Sequence, residues 1–205
     1  MRGKLLKRIV VGMAVTILLA ACGPLHELPY RSSSEGPYVA PGNEFTVEQP
    51  AAGASIGTSR KNNFFAVDFL VTPGIWPQEW YAVEWTTLPE AKPQSDKEFY
   101  DSWESFLPRY LAGNFGDGHY DLLHKERGTF KNQYPTLTFV GVGKHNGGRA
   151  GSIYGTAIGF GKRVGVVYVL RNDQPKDFVS FETLPGFATY ERFVQTLNCV
   201  RACGK

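Results

Sequence analysis

Four strand-like segments follow one another in the second half of the chain, with no helical pattern between them. They are residues 122–130, 134–144, 150–160 and 164–171. The first connection is Lys131-Asn132-Gln133, the last is Gly161-Lys162-Arg163, and the middle one contains the hairpin dipeptide Asn146-Gly147. Parallel neighbours need a crossover of a dozen or more residues. The short connections therefore predict an antiparallel sheet.

Three segments in the first half of the chain also predict strands. Residues 45–48 and 80–87 are short and rich in apolar and β-branched residues, and residues 65–71 alternate between two faces. Together with the later segments they predict a sheet of about six to seven strands.

Two amphipathic segments predict helices. Ser95 and Glu98 form a capping box ahead of residues 99–111, whose large apolar side chains recur at helical spacing, with a kink expected at Pro108 and an end by Gly113. Residues 185–200 show the same periodicity and predict a terminal helix. An antiparallel sheet covered by two main helices is an α+β fold.

This element order, over roughly residues 44–200, resembles that of the PsbP-like domains, which are α/β/α sandwiches. The segment Gln133-Tyr134-Pro135-Thr136-Leu137, with Tyr-Pro opening a strand soon after the middle helix, is part of the resemblance. The resemblance implies a non-enzymatic domain that binds a protein or aids assembly, with no catalytic residues. The aromatic insertion near residues 73–81 departs from the family.

The chain begins with a targeting pattern. Residues 1–8 carry four basic side chains and no acid, and the apolar run that follows, residues 9–21, would span only about 20 Å as a helix. A bilayer core is about 30 Å thick, so residues 1–21 predict a cleaved secretory signal.

The signal ends on Leu19-Ala20-Ala21-Cys22, which resembles the bacterial lipobox. That resemblance implies lipidation of Cys22, cleavage before it, and acylation (palmitate) of the new amino terminus. Gly23, rather than Asp, follows the cysteine, which by the same resemblance favours the outer membrane, facing the periplasm. An ordinary signal cut after Ala21, or an uncleaved anchor, is the alternative.

Removal of the signal changes the charge balance. The whole chain has 22 basic and 19 acidic residues, whereas the mature chain keeps 18 basic against 19 acidic, a net charge of −1. No nucleic-acid partner is therefore expected. Residues 22–43, rich in Pro and Ser, predict a lipidated tether, although parts of it are apolar enough to pack on the body. Residues 44–205 then form one α+β domain.

Two motifs suggest chemistry without the context that the chemistry needs. Gly53-Ala54-Ser55-Ile56-Gly57 matches the nucleophile elbow G-x-S-x-G, but no strand precedes it and no helix follows, so we expect a surface loop. The other motif is a cluster of four residues of types that ligate metal ions, but their spacing matches no known metal-site motif. It consists of Asp117, His119, Asp121 and His124. We predict neither catalytic residues nor a metal or other cofactor apart from the covalent lipid.

Tryptophans and cysteines complete the candidate residues. Trp76 and Trp80 lie among turn formers and could form an exposed partner-binding loop, whereas Trp85 is expected in the core. Cys199 and Cys203 are expected to pair, because export places them in an oxidising compartment and Cys22 carries lipid.

The prediction is a membrane-anchored envelope lipoprotein that binds a protein partner or aids envelope assembly. An envelope hydrolase acting on wall or lipid, and a small-ligand-binding lipoprotein, are the alternatives. The hydrolase would need a pocket that joins Ser or His with acids.

Overall fold

The structure is a computed structural model that describes residues 31–32, 36–71, 79–87, 94–116, 118–144 and 148–201. The strands in these ranges are β1 Arg31–Ser32, β2 Tyr38–Val39, β3 Phe45–Val47, β4 Ser55–Lys61, β5 Phe64–Leu70, β6 Glu79–Thr87, β7 Tyr120–Phe130, β8 Tyr134–Lys144, β9 Ala150–Gly159, β10 Arg163–Arg171 and β11 Asn198–Cys199. The helices are α1 Asp96–Asn114 and α2 Phe187–Thr196, and 3-10 turns occupy Pro41–Asn43 and Phe181–Thr183.

The strands form one large sheet and one small sheet. The large sheet is antiparallel in the order β1-β4-β5-β6-β10-β9-β8-β7, and the small one has the order β11-β3-β2. The sheet comprises two meanders, β4 to β6 and β7 to β10, which join where β6 pairs with β10 along its whole length. The predicted α+β class, with a large antiparallel sheet and two helices, is confirmed.

Helix α1 covers one face of the sheet, packing on β7, β8 and β9. The predicted capping box is present: Ser95 Oγ accepts from the Glu98 N–H at 3.3 Å, and a Glu98 carboxylate oxygen accepts from the Ser95 N–H at 3.0 Å. The helix continues through Pro108, which is exposed, and ends one residue after Gly113. Its six large apolar side chains face the sheet and are buried.

Glycines in β9 let aromatic rings lie directly on the sheet beneath α1. A Cβ atom added to Gly155 would overlap the Phe139 ring, and one added to Gly159 would lie 2.8 Å from the Phe99 ring. No real side chain tolerates such contacts, so the rings occupy the space that side chains at these positions would need.

Helix α2 and the small sheet cover the opposite face. The helix packs on β9 and β10 of the large sheet and on β3 of the small one, and Phe45 of β3 contacts Phe65 and Trp85. Phe193 packs edge-on against Phe69 and Tyr81, with ring centroids 5.6 and 5.4 Å apart. Trp85 is 1% exposed and lies between Phe45 and Phe160, so its predicted place in the core is confirmed.

Several predicted elements need correction. The terminal helix ends at Thr196, and Asn198–Cys199 form β11 against β3, so residues 198–200 are not helical. Residues 55–61 form β4, so Ser55 to Gly57 do not lie in the predicted surface loop. Arg31–Ser32 pair with β4 and Tyr38–Val39 with β3, so these parts of the predicted tether pack on the body.

Three further predictions concern the amino-terminal signal, its lipobox and one turn. The signal and the lipobox lie outside the described residues, as does Asn146-Gly147. Among the helices that the structure describes, none is both long enough and apolar enough to cross a membrane.

Replacement of Gly155 by Ala should strongly destabilise the fold, because the new methyl group would collide with the Phe139 ring. We expect a loss of roughly 2–3 kcal/mol in the free energy of unfolding, as for other overpacked core positions. Urea denaturation would measure it.

The matched test is the double variant Gly155→Ala with Phe139→Leu, in which the smaller side chain frees the space. If the two losses simply add, rather than partly cancelling in the double-mutant cycle, the contact does not limit position 155.

Candidate functional site

A groove of about 230 Å³ lies on the second face of the sheet, between α2 and strands β7 to β9. We call it the α2 groove. It is lined by Glu126, Thr129, Phe130, Thr136, Thr138, Thr156, Phe181, Glu182, Phe187, Tyr190, Glu191, Val194 and Gln195. Glu126, Thr138 and Thr156 occupy one row across β7, β8 and β9, because each pairs with the next in the sheet register.

A chain of hydroxyl groups runs through the floor of the groove. The hydroxyl oxygens of Thr138 and Thr156 are 3.2 Å apart, and those of Thr156 and Tyr190 are 2.7 Å apart. Tyr190 also donates to the Val167 carbonyl at 3.3 Å. A carbonyl can only accept, so this bond uses the single Tyr190 proton. Thr156 then donates to Tyr190 and Thr138 to Thr156, which leaves Thr138 as an acceptor towards the groove.

Aromatic rings form the wall of the groove beside α2. Phe181 and Phe187 are stacked with centroids 4.7 Å apart, and Phe187 continues to Tyr190 at 5.7 Å. The row extends beyond the groove, where Phe178 is stacked on His124 at 4.0 Å. These rings give the groove an apolar side opposite its hydroxyl floor.

Three carboxylates line the groove, and its lining residues include no Lys or Arg. Glu126, Glu182 and Glu191 are all exposed. Hydrogen bonds from Ser180 and from the Glu182 backbone hold the pKa of the Glu182 carboxyl below its usual value. One Glu126 oxygen lies 3.3 Å from His124 Nε2. The groove therefore presents acceptors and negative charge beside aromatic rings.

A second polar cluster, the acid pair Asp68 and Glu84, lies on the α1 face of the sheet. Asp68 pairs with Ala82 and Glu84 with Ala66, so the two acids are diagonal neighbours on adjacent strands. Asp68 is 1% exposed, and its Oδ1 has no hydrogen-bond partner in the described part of the chain. A buried carboxylate without a paired cation is costly and marks a position with a special role.

The surroundings of the acid pair favour the protonated forms. Burial raises the pKa of Asp68 to about 7, and the hydrogen-bonding Trp80 side chain opposes the shift. Burial and then the nearby Asp68 raise the pKa of Glu84 to about 8, whereas the Tyr168 and Tyr110 hydroxyls lower it. The pair thus holds protons near neutral pH, and a neutral carboxylic acid can donate a hydrogen bond as well as accept one.

The structure describes three of the four candidate metal-ligand residues, for which the sequence predicted no metal site. His119 and Asp121 are exposed, His124 is stacked on Phe178, and Asp117 lies outside the described residues. In the ranges that the structure covers, no group of three His, Cys, Asp or Glu side chains is placed to hold a metal ion.

The other predicted site residues fall into two groups. Ser55 and Gly57 lie in β4, whose antiparallel continuation to Lys61 is not the strand–turn–helix of a nucleophile elbow, and the motif is not the loop that was expected either. Trp80 is half-buried in β6, beside the acid pair. Trp76, Cys22 and Cys203 lie outside the described residues. Partner binding by Trp76 and Trp80, lipidation of Cys22 and the Cys199–Cys203 pairing stay predictions.

Sequence reasoning missed both clusters, although weak signals were present. Asp68 interrupts an otherwise apolar strand, and Glu84 does the same in the next strand. An acid in the middle of a buried strand is a usable signal. The groove had no local signal, because its residues come from β7, β8, β9 and α2.

No protein-family model matches the chain, and no curated protein is significantly similar to it in sequence. The site must therefore be interpreted from its own chemistry.

We expect the free energy of unfolding to fall as pH rises from about 4 to about 8. In this range folded Asp68 and Glu84, with pKa values of about 7 and 8, keep protons that the unfolded chain releases at its ordinary values of 3.8 and 4.5. Stability falls with pH wherever the folded state binds more protons. Asp68→Asn should make the free energy of unfolding depend less on pH. At the alkaline end it should raise that free energy by about 2–4 kcal/mol, because each unit of pKa difference between the folded and unfolded chain is worth about 1.4 kcal/mol.

Urea denaturation over this pH range would measure the effect, with exposed Asp121→Asn as the control. An unchanged pH dependence in Asp68→Asn, or the same change in Asp121→Asn, would contradict the assignment.

Proposed function

We propose that the protein is a lipid-anchored envelope protein that holds a basic segment of a partner protein in the α2 groove. The anchor is Cys22, and the outer membrane, facing the periplasm, is the expected location. The lipobox Leu19-Ala20-Ala21-Cys22 and the short apolar run before it support the anchor. The lining of the α2 groove is the observation that supports the choice of partner.

The groove lining is complementary to a Lys or Arg side chain. Three carboxylates supply the opposite charge, and Thr138 supplies an uncharged acceptor at the end of the hydroxyl chain. The aromatic wall adds a second kind of attraction, because cations bind favourably to aromatic faces. The aliphatic stem of such a side chain also packs well on rings while its charged head stays in the polar part of the groove.

A protein segment suits the groove better than a free ion. The groove runs along α2 from the turn at Phe181–Thr183 towards Gln195, so it can contact several consecutive side chains. Exposed charges of this kind mainly accelerate and orient association. The anchor would keep the protein where an envelope partner is present.

A second candidate function is the binding of a small ligand between the sheet and α1. The acid pair supports it, because Tyr110 of α1 and Tyr168 of β10 converge with two carboxyl groups on one face of the sheet. Such convergent polar groups typify ligand sites. The partner-binding proposal is preferred because the α2 groove is open at its exposed carboxylates, whereas Asp68 is enclosed.

The lipid anchor can be tested separately from the groove. Metabolic labelling of cells with a clickable palmitate analogue should label the protein, and the protein should fractionate with membranes. Cys22→Ser should remove the label and release the protein, because two or more acyl chains are needed for stable anchoring. Labelling that persists in Cys22→Ser, or its absence from the native chain, would contradict the proposed anchor.

The groove can be tested by site-specific crosslinking in the native envelope. A photo-reactive amino acid at Gln195, which is exposed and lines the groove, should give one discrete adduct, and mass spectrometry should map it to a Lys- or Arg-rich segment. Glu126→Gln or Glu191→Gln should lower the adduct yield roughly two- to tenfold, as expected when a charge pair of about 0.5–1.4 kcal/mol is lost.

Two controls make the crosslinking result specific. Asp101→Asn removes an exposed carboxylate from the outer side of α1 and should leave the yield unchanged. A photo-reactive residue at Arg109, also exposed on α1, should not give the same adduct. Equal adducts from Gln195 and Arg109, or an acidic crosslinked segment, would refute the proposed partner class.

A further inference from the structure

A separate cavity of about 200 Å³ lies at the end of the sheet where β4 turns into β5, beside the start of β10. We call it the arginine cavity. Two Arg and two Asn residues line it, and the one acid among the lining residues is Glu44. They are Arg60, Arg163, Asn62 and Asn63. The formal charges of the lining residues therefore sum to a positive value, whereas those of the α2 groove sum to a negative value.

The strongest indication of a ligand site is the indole N–H of Trp85. Trp85 is 1% exposed, and its Nε1 has no hydrogen-bond partner in the part of the chain that the structure describes. A buried donor without an acceptor costs roughly 1–3 kcal/mol. A protein seldom leaves such a donor unmatched unless something else accepts from it.

Trp85 itself lines the cavity, and its ring carries the N–H on the side away from β10. Cζ3 faces β10, since a Cβ atom added to Gly165 would lie 3.0 Å from it. Cζ3 and Nε1 lie at opposite ends of the indole, so Nε1 points away from β10. The neighbour of β6 on that other side is β5, whose first two residues, Phe64 and Phe65, line the cavity.

The two arginines flank Trp85 on the same face of the sheet. Arg60 pairs with Phe65, which pairs with Trp85, so these three residues form one row across β4, β5 and β6. Arg163 lies on the opposite side, in β10, paired with Thr87. Side chains two residues apart on a strand share a face, so Thr87 and its partner Arg163 are on the same face as Trp85.

Both arginines keep donors available. Arg163 uses one terminal nitrogen to donate to the Arg201 carbonyl, but its buried Nε–H has no partner among the described residues. Arg60 is exposed, and no hydrogen bond or ion pair joins it to the described residues. The backbone carbonyl of Glu44, the one acidic residue of the lining, accepts from the Val200 and Arg201 N–H groups.

We propose that the arginine cavity binds the oxyanion of a phosphate group, with the Trp85 indole and Arg60 as donors on one side and Arg163 supplying positive charge from the β10 side. Arginine presents its donors in a fork that matches phosphate oxygens. The indole belongs to β6 and the Asn amides to the β4–β5 turn, so donors come from several elements, which suits a tetrahedral anion better than a planar carboxylate. The cavity is smaller than the roughly 300–1,000 Å³ sites of drug-sized ligands, so it fits a single phosphate group. This site is independent of the proposed partner groove.

The first test is titration of the full-length lipidated protein, in non-ionic detergent, with inorganic phosphate. Calorimetry should show saturable binding, and the indole N–H resonance that disappears in Trp85→Phe should shift as phosphate is added. Arg60→Gln should weaken phosphate binding at least fivefold. Arg109→Gln, which removes an exposed arginine from α1, should leave it unchanged.

A second arm identifies the source of the phosphate. Flotation of the full-length protein with vesicles of phosphatidylglycerol, compared with phosphatidylcholine, tests a lipid headgroup with the anchor present in all samples. If Arg60→Gln reduces a preference for phosphatidylglycerol, the phosphate belongs to a lipid, and if inorganic phosphate alone binds, it is a soluble phosphate. Both results support the proposal.

The proposal is overturned if the Trp85 indole resonance is unaffected by both phosphate sources, or if Arg109→Gln weakens binding as much as Arg60→Gln does. Arg60 is exposed and unpaired among the described residues, so Arg60→Gln should fold normally. The adduct formed from Gln195 should also be unaffected by Arg60→Gln, which separates failure of this site from failure of the α2 groove.

Discussion

The pairing of β6 with β10 is the contact on which the rest of the structure depends. It is the only place in the described sheet where the meander β4 to β6 meets the meander β7 to β10. Its register places Val83 opposite Val167 and Ala82 opposite Tyr168. A slip of one residue would turn every side chain of one meander to the other face. Trp85 would then leave the core, and Glu84 would separate from Tyr168.

The same register sorts the polar groups of the protein between the two faces. It puts the acid pair on the α1 face and the arginine cavity, with Trp85, on the α2 face. Helix α2 and the Thr residues of β8 and β9 then complete the α2 groove near the other end of that face. The described part of this nearly neutral domain thus combines an acidic groove with a basic cavity, and we propose that each selects a partner of the opposite charge.

The sequence was most informative where a local pattern decides the structure. The α1 cap, the hairpin strands and the burial of Trp85 follow from spacing and turn chemistry within short windows. Strand β4, which reads Ser-Ile-Gly-Thr-Ser-Arg-Lys, has no apolar alternation and forms because β5 lies beside it. Likewise Asn198–Cys199 continue the helical period of α2 but pair with β3 instead. Tertiary contact overrides weak local preference at these points.

The candidate sites were harder to predict because their residues are distant in the chain. Asp68 and Glu84 could be noticed singly as acids in apolar strands, but their proximity depends on the β5–β6 register. The groove residues Glu126, Thr156 and Tyr190 are brought together by two strand pairings and the docking of α2. No spacing rule in a linear sequence encodes such convergence.

The sequence by itself determined the antiparallel α+β architecture and supported the prediction of a lipid anchor, because turns, caps and a signal are properties of contiguous residues. Only the tertiary structure decided which polar groups became neighbours, how much water each one lost, and hence where acidic and basic sites lie. Burial and charge proximity arise between segments, so the raised pKa values of Asp68 and Glu84 and the unmatched N–H of Trp85 exist only in the folded chain.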